Sequence, residues 1–169
     1  RIVILTGAGK AFSAGLDLKE LGAGGDPGAK GFTSENDPTR AMAEFEGPII
    51  GAINGHAITG GFELALSCDI LVASEQAIFA DTHARVGILP GWGLSQKLPR
   101  LIGIGRAKEI SLTGNFIDAG RAEAWGLVNR VVPAESLIET CRGMAADMLS
   151  CVPPILKGYK RMIDEGYGM

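Results

Sequence analysis

The stretch Ile49-Ile-Gly-Ala-Ile-Asn-Gly-His-Ala-Ile-Thr-Gly-Gly-Phe-Glu-Leu-Ala-Leu-Ser-Cys-Asp69 decides how the rest of the chain is read. Ile49 to Ile53 is an apolar run with the length of a strand, Asn54 to Gly61 is a Gly-rich turn, and Phe62 to Ser67 has helical character. Gly60 and Gly61 carry no Cβ, so backbone there can come close to a ligand. The first N–H groups of a helix have no intrahelical partner and lie at the positive end of its dipole. An anion, or an oxyanion developing on a carbonyl, is stabilised in that place. Glu63 follows Gly60 by three residues, a rise of about 4.5 Å, which sets a carboxylate near the amide donors. One group can hold a carbonyl oxygen while the other moves a proton. The plainer alternative is a helix N-terminus with an ordinary capping glutamate.

Outward from this stretch, strands alternate with helices. Arg1 to Thr6, Ile70 to Ser74, Ala77 to Ala80 and Leu127 to Val132 read as strands. Phe12 to Gly15 reads as a loop, Leu16 to Leu21 as a short helical start, and Gly22 to Asp37 as a Gly- and Pro-rich loop. Helices are expected over Thr39 to Glu46, Leu94 to Ile102, Arg106 to Leu112, Glu135 to Ser150 and Pro154 to Glu165. A shorter one covers Asp118 to Trp125, with Asp118 as its N-cap, while Val86 to Trp92 reads as a loop. The alternation predicts an α/β fold. No period of repeat length is visible.

Composition narrows the function classes. The 169 residues are one domain's worth of chain. Glycine accounts for 25 of them, roughly twice the ordinary share and without collagen-like period, as tight turns and close backbone approaches require. The 16 basic and 19 acidic residues are interspersed, which argues against a nucleic-acid surface. No apolar run approaches the roughly 18 residues of a membrane span, so no membrane partner is expected. Cys68, Cys141 and Cys151 fit neither a disulfide framework nor a zinc pattern, and reduced thiols suit a cytoplasmic setting. The chain opens at Arg1 inside a strand-like run and stops after a helical pattern, so both ends read as cut from something longer.

Further motifs join the central one. Phe12-Ser-Ala-Gly-Leu-Asp-Leu18 follows the first strand. Ala77 to Phe79, Val86-Gly-Ile-Leu-Pro-Gly-Trp-Gly93, Leu98-Pro-Arg-Leu-Ile-Gly103, Leu112-Thr-Gly114 and Ala122-Glu-Ala-Trp-Gly-Leu-Val128 come in order after the Ile49–Asp69 stretch. Order and spacing together resemble the enoyl-CoA hydratase/isomerase, or crotonase, superfamily from residue 1 to about 133. The resemblance implies a spiral of ββα turns, over residues 1–115, and a mainly helical C-terminal region, over residues 116–169. It implies an acyl-CoA thioester as substrate, coenzyme A being part of that substrate, with no separate cofactor and no metal. It also implies a homotrimer or a dimer of trimers.

By the same resemblance, the thioester oxygen sits between the backbone N–H groups of Leu16 and Gly60, and an enolate is stabilised there. Ala14, Leu16, Asp17 and Leu18 fall where relatives contact coenzyme A. Gly61, Pro90 and Gly91 complete the expected substrate contacts. Hydratases of the superfamily use two glutamates. One corresponds to Glu63; the other falls on His83. An imidazole titrates near neutrality and can give or take a proton, and Asp81 can orient it or act itself. Three functions stay open: hydration with His83 or Asp81 assisting Glu63, isomerisation or another lyase reaction with Glu63 alone, and acyl-CoA binding without turnover.

Weaker signals are set aside. Gly7-Ala-Gly-Lys10 lacks the spacing of a phosphate loop, although Lys10 can approach a phosphate as a point charge. Gly103-Ile-Gly-Arg106 lacks the third glycine of a dinucleotide fingerprint. Ser13, Ser67 and Ser95 are not in a nucleophile elbow. His56 reads as structural beside its turn, and Trp92 as an acyl-pocket wall or a core residue.

Overall fold

The structure, a computed structural model, describes residues 1–15 and 37–167. Among the described residues, eight strands fall into two sheets. In chain order they are β1 Val3–Thr6, β2 Ala11–Ser13, β3 Ile49–Ile53, β4 His56–Ile58, β5 Ile70–Ser74, β6 Ile78–Ala80, β7 Ile117–Asp118 and β8 Arg130–Val132. One sheet has the order β1-β3-β5-β8 and is wholly parallel. The other has the order β2-β4-β6-β7 and is parallel except at the β6–β7 pair. Each of the first three pairs of strands therefore puts one strand in each sheet, and the chain advances one rung per pair. This is the spiral that the resemblance implies. β7 and β8, from the C-terminal third, add the last strand to each sheet.

The helices are α1 Pro38–Glu44, α2 Gly60–Ala65, α3 His83–Val86, α4 Leu94–Ile102, α5 Ile104–Thr113, α6 Ala119–Ala124, α7 Leu137–Leu149 and α8 Pro153–Tyr167. Asp118 does cap α6, its carboxylate accepting from the Arg121 amide at 2.7 Å. Three stretches read as loop or turn contain or overlap short elements. β2 overlaps the start of the Phe12–Gly15 loop, β4 lies within the Gly-rich turn, and α3 overlaps the start of the Val86–Trp92 loop.

Two apolar cores flank the first sheet. Ile53, Phe62, Phe79, Leu94 and Leu98 belong to the larger, with the Phe62 and Phe79 rings 5.5 Å apart. Ile50, Ala52 and Val72 pack with Leu137 and Cys141 of α7 in the smaller. A central parallel strand covered on both faces is apolar throughout, which is why Ile49–Ile53 shows no alternation.

Corners between the two sheets place the site. The Asn54 side chain accepts from the Gly7 amide at 2.9 Å and donates to the Gly9 and Ala11 carbonyls at 3.1 and 3.3 Å. A Cβ on Gly55 would lie 2.1 Å from the Lys10 carbonyl oxygen, so the β1–β2 and β3–β4 corners stack backbone on backbone. His56 is exposed and its Nδ1 is 3.3 Å from the same carbonyl, a structural setting.

Candidate active site

β4 ends at Ile58, and Thr59 carries the chain into α2. Thr59 has φ 55° and ψ −112°, which a β-branched residue adopts at a cost of about 1–3 kcal/mol. Gly60 begins the helix, so its N–H has no intrahelical carbonyl to meet. Gly15 arrives from β2 beside it: a Cβ on Gly15 would stand 3.1 Å from the Gly60 nitrogen. The chain leading to residue 16 thus reaches the start of α2. Leu16, Asp17 and Leu18 lie outside the described residues. Ala14 and Gly15 are exposed beside them. At Gly61 the space a Cβ would take is filled by the Ser13 carbonyl oxygen, 1.9 Å from that position, so a side chain there would collide with backbone.

Glu63 is buried at 3% exposure. Its Oε1 accepts from the Trp92 amide at 2.8 Å and the Leu94 amide at 3.2 Å, at the N-terminal end of α4. One carboxylate oxygen is therefore engaged by a neighbouring helix. The capping-glutamate alternative does not describe it. Two fixed donors and the positive end of α4 hold one oxygen as an acceptor. The other oxygen, Oε2, faces His83 Nε2 at 3.5 Å.

His83 opens α3, and it is buried at 5% exposure. Its Nδ1–H donates to Asp81 Oδ1 at 2.6 Å, and its backbone amide donates to the same oxygen at 3.2 Å. Burial works against the imidazolium, but the Asp81 and Glu63 carboxylates outweigh it and push the pKa up to about 9. Burial likewise works against the Asp81 carboxylate, yet hydrogen bonds from His83 and from Ser111 of α5 hold its pKa below the usual range. The result is a buried line of three groups, Asp81–His83–Glu63, with the imidazole between two carboxyl groups.

Of the expected site residues, the structure brings Glu63 and His83 together with Asp81, and Gly60 begins the helix that carries Glu63. Pro90 and Gly91 lie in the loop before Trp92; Gly91 is exposed with open space at its Cα. Lys10 is exposed at the first corner. Three features escaped the reading. They are the Trp92 and Leu94 amides on Glu63, the strained Thr59, and Arg85, whose Nε and Nη2 donate to the Thr113 carbonyl at 2.9 and 2.7 Å. Amide contacts of this kind leave no side-chain signature. Thr59 did leave one, since a β-branched residue directly before Gly-Gly in a turn is out of place. Among the described residues no cluster of His, Cys, Asp or Glu is arranged to hold a metal ion.

The sequence profile described as enoyl-CoA hydratase/isomerase matches residues 1–168. The chain belongs to that family. A relative from Arabidopsis thaliana named "Probable enoyl-CoA hydratase 1, peroxisomal" is 45% identical over 168 residues, 98% of this chain and 62% of its own. The crystal structure of an enoyl-CoA hydratase from Mycobacterium tuberculosis H37Rv superimposes with a TM-score of 0.82 at 47% identity, over 98% of this chain and 70% of that one. A monofunctional enoyl-CoA isomerase from M. smegmatis superimposes equally well, with a TM-score of 0.82 at 39% identity, over 100% of this chain and 72% of that one. The fold is that of the crotonase superfamily. The chain spans less than two thirds of the Arabidopsis relative's length, so the family covers every described element here without the reverse being true. Among the described residues no helix is long and apolar enough to cross a membrane.

Proposed function

We propose that this site adds water reversibly across the double bond of a 2-enoyl-CoA thioester, with Glu63 and His83 as the proton-handling pair. The observation that carries the reading is the 3.5 Å contact between Glu63 Oε2 and His83 Nε2, with Glu63 fixed from behind by two amides. The thioester oxygen accepts from the Gly60 and Leu16 amides. Glu63 takes a proton from water as the water oxygen bonds to the β-carbon. Electrons move to the thioester oxygen, and an enolate forms. His83, present as imidazolium below about pH 9, delivers its Nε2 proton to the α-carbon. Glu63 then passes its new proton to His83, which restores both groups. Net, one water has been added and no further reactant is needed. Ala14, Asp17 and Leu18 contact coenzyme A, and Pro90 and Gly91 border the acyl chain.

Assays of crotonyl-CoA hydration with Glu63→Gln and His83→Ala test the scheme. General acid–base groups contribute about 10²–10⁴ in rate, and both variants should lose activity on that scale. Hydration untouched by Glu63→Gln overturns the assignment. The second reading is isomerisation with Glu63 alone, favoured by the likeness to the M. smegmatis isomerase. In that case His83→Ala retains double-bond shifting of a 3-enoyl-CoA while hydration is absent from the start. Tight acyl-CoA binding with no turnover on either substrate would mark a binder. We propose further that copies of the chain assemble as a homotrimer or dimer of trimers in a cytoplasmic setting.

A further inference from the structure

Thr59 stands one residue before Gly60, and Thr82 one residue before His83. The two half-buried threonines are tied together. Their hydroxyls hydrogen-bond to each other, and the Thr82 amide donates to Thr59 Oγ1 at 3.3 Å. The Thr59 amide in turn donates to the Ala80 carbonyl at 2.8 Å. Thr59 is also the only non-glycine with positive φ among the described residues. Glycine suits that conformation, and a β-branched residue suits it poorly. The hydroxyl is not used to cap its own helix, for α2 has no side-chain cap. It reaches across to the strand-end that carries His83.

We propose that the Thr59–Thr82 hydroxyl pair is a positioning device, which fixes the direction of the Gly60 amide relative to His83. The proposal rests on the hydratase reading above. The Gly60 N–H lies in the peptide plane that Thr59 ψ orients, so holding the Thr59 side chain holds that plane. Thr82 begins the turn on which His83 sits. A loose brace lets the two drift apart by a fraction of an ångström. Hydrogen bonds to a developing oxyanion weaken with such drift far more than the binding of the unreacted thioester does.

Stability and activity should therefore separate. Thr59→Gly removes strain and hydroxyl together, so its thermal midpoint stays at or near that of the unsubstituted protein, the freedom of glycine in the unfolded chain offsetting the relief. Its hydration kcat should fall about tenfold or more while KM stays within about twofold. Thr82→Val should do the same. Thr59→Ser keeps the hydroxyl and should keep kcat within about twofold. A second readout needs no turnover. Acetoacetyl-CoA, which can bind as an enolate, is compared with butyryl-CoA, which cannot. Thr59→Gly should weaken the first about tenfold and leave the second unchanged. An unchanged affinity ratio, or Thr59→Ser as impaired as Thr59→Gly, overturns the brace. Failure of the hydratase reading shows separately, as absent hydration in the unsubstituted protein or no effect of Glu63→Gln.

Discussion

His83 is held as a cation by its two neighbours, and this gives the site a pH signature. Its folded pKa, about 9, lies above its ordinary value of 6.5. Its contribution to stability is therefore complete below pH 6.5 and is lost as pH rises through about 9. Asp81 runs the other way: its pKa is lowered from 3.8, so its contribution is present above that value and lost on acidification below it. Thermal midpoints measured against pH should thus fall on both sides of a plateau between 3.8 and 6.5. Hydration should decline above about pH 9, and in Asp81→Asn that limb should move toward 6.5. A limb that does not move would remove Asp81 from the site. A second prediction concerns Gly61. Adding a methyl group 1.9 Å from the Ser13 carbonyl forces backbone to move. Gly61→Ala should cost at least about 1–3 kcal/mol in urea unfolding, as overpacked sites do. At this scale the Gly-rich turn running into a helix pointed to Glu63, whereas His83, with Asp81 beside it, came only from the resemblance, on the position of the second hydratase glutamate. The sequence could not expose the amides of Trp92 and Leu94, which depend on where the chain folds back.

The legible elements are those long enough to show a pattern. Ile49–Ile53 and Ile70–Ser74 match their expected bounds, since a buried parallel strand is a continuous apolar run. β2 and β4 have three residues each, too few for alternation, and glycines at the neighbouring corners make them read as turn. Only pairing with β6 and with each other makes them strands. α3 was hidden for the same reason, having four residues and ending at Gly87 with φ 78°. Its stability comes from outside. Arg85 ties it to the end of α5 through the Thr113 carbonyl and Asn115 Oδ1. Arg85→Ala should loosen α3 locally by about 1 kcal/mol, the hydrogen bonds being exposed, and speed amide exchange over residues 83–88 about fivefold. Exchange that speeds up equally in α7 would mean global destabilisation instead.

At the scale of the molecule, the two-sheet spiral was not visible in periodicity, which gave only α/β. It came only from what the resemblance to the crotonase superfamily implies, because assigning strands to two sheets depends on the direction of each corner, which no local pattern carries. The last helix raises the remaining question. Lys160 of α8 is 2.7 Å from Asp69 Oδ1, and Lys157 is 2.6 Å from Glu46. These ties hold one side of α8 against the segments that precede β5 and β3, while Ile155, Tyr159, Met162 and Ile163, spaced as one helix face, are left exposed. An apolar stripe of this kind is costly in water and marks a contact surface. The assembly proposed above supplies a cover for it: α8 of a second copy or a neighbouring part of one. Sedimentation velocity at micromolar concentration should then show a species larger than one chain. Ile155→Glu with Ile163→Glu should shift it toward the monomer, with helix content by circular dichroism unchanged. A single-chain species for the unsubstituted protein would show that α8 does not join copies, and the same sedimentation after Ile155→Glu with Ile163→Glu would place the contact elsewhere on the surface.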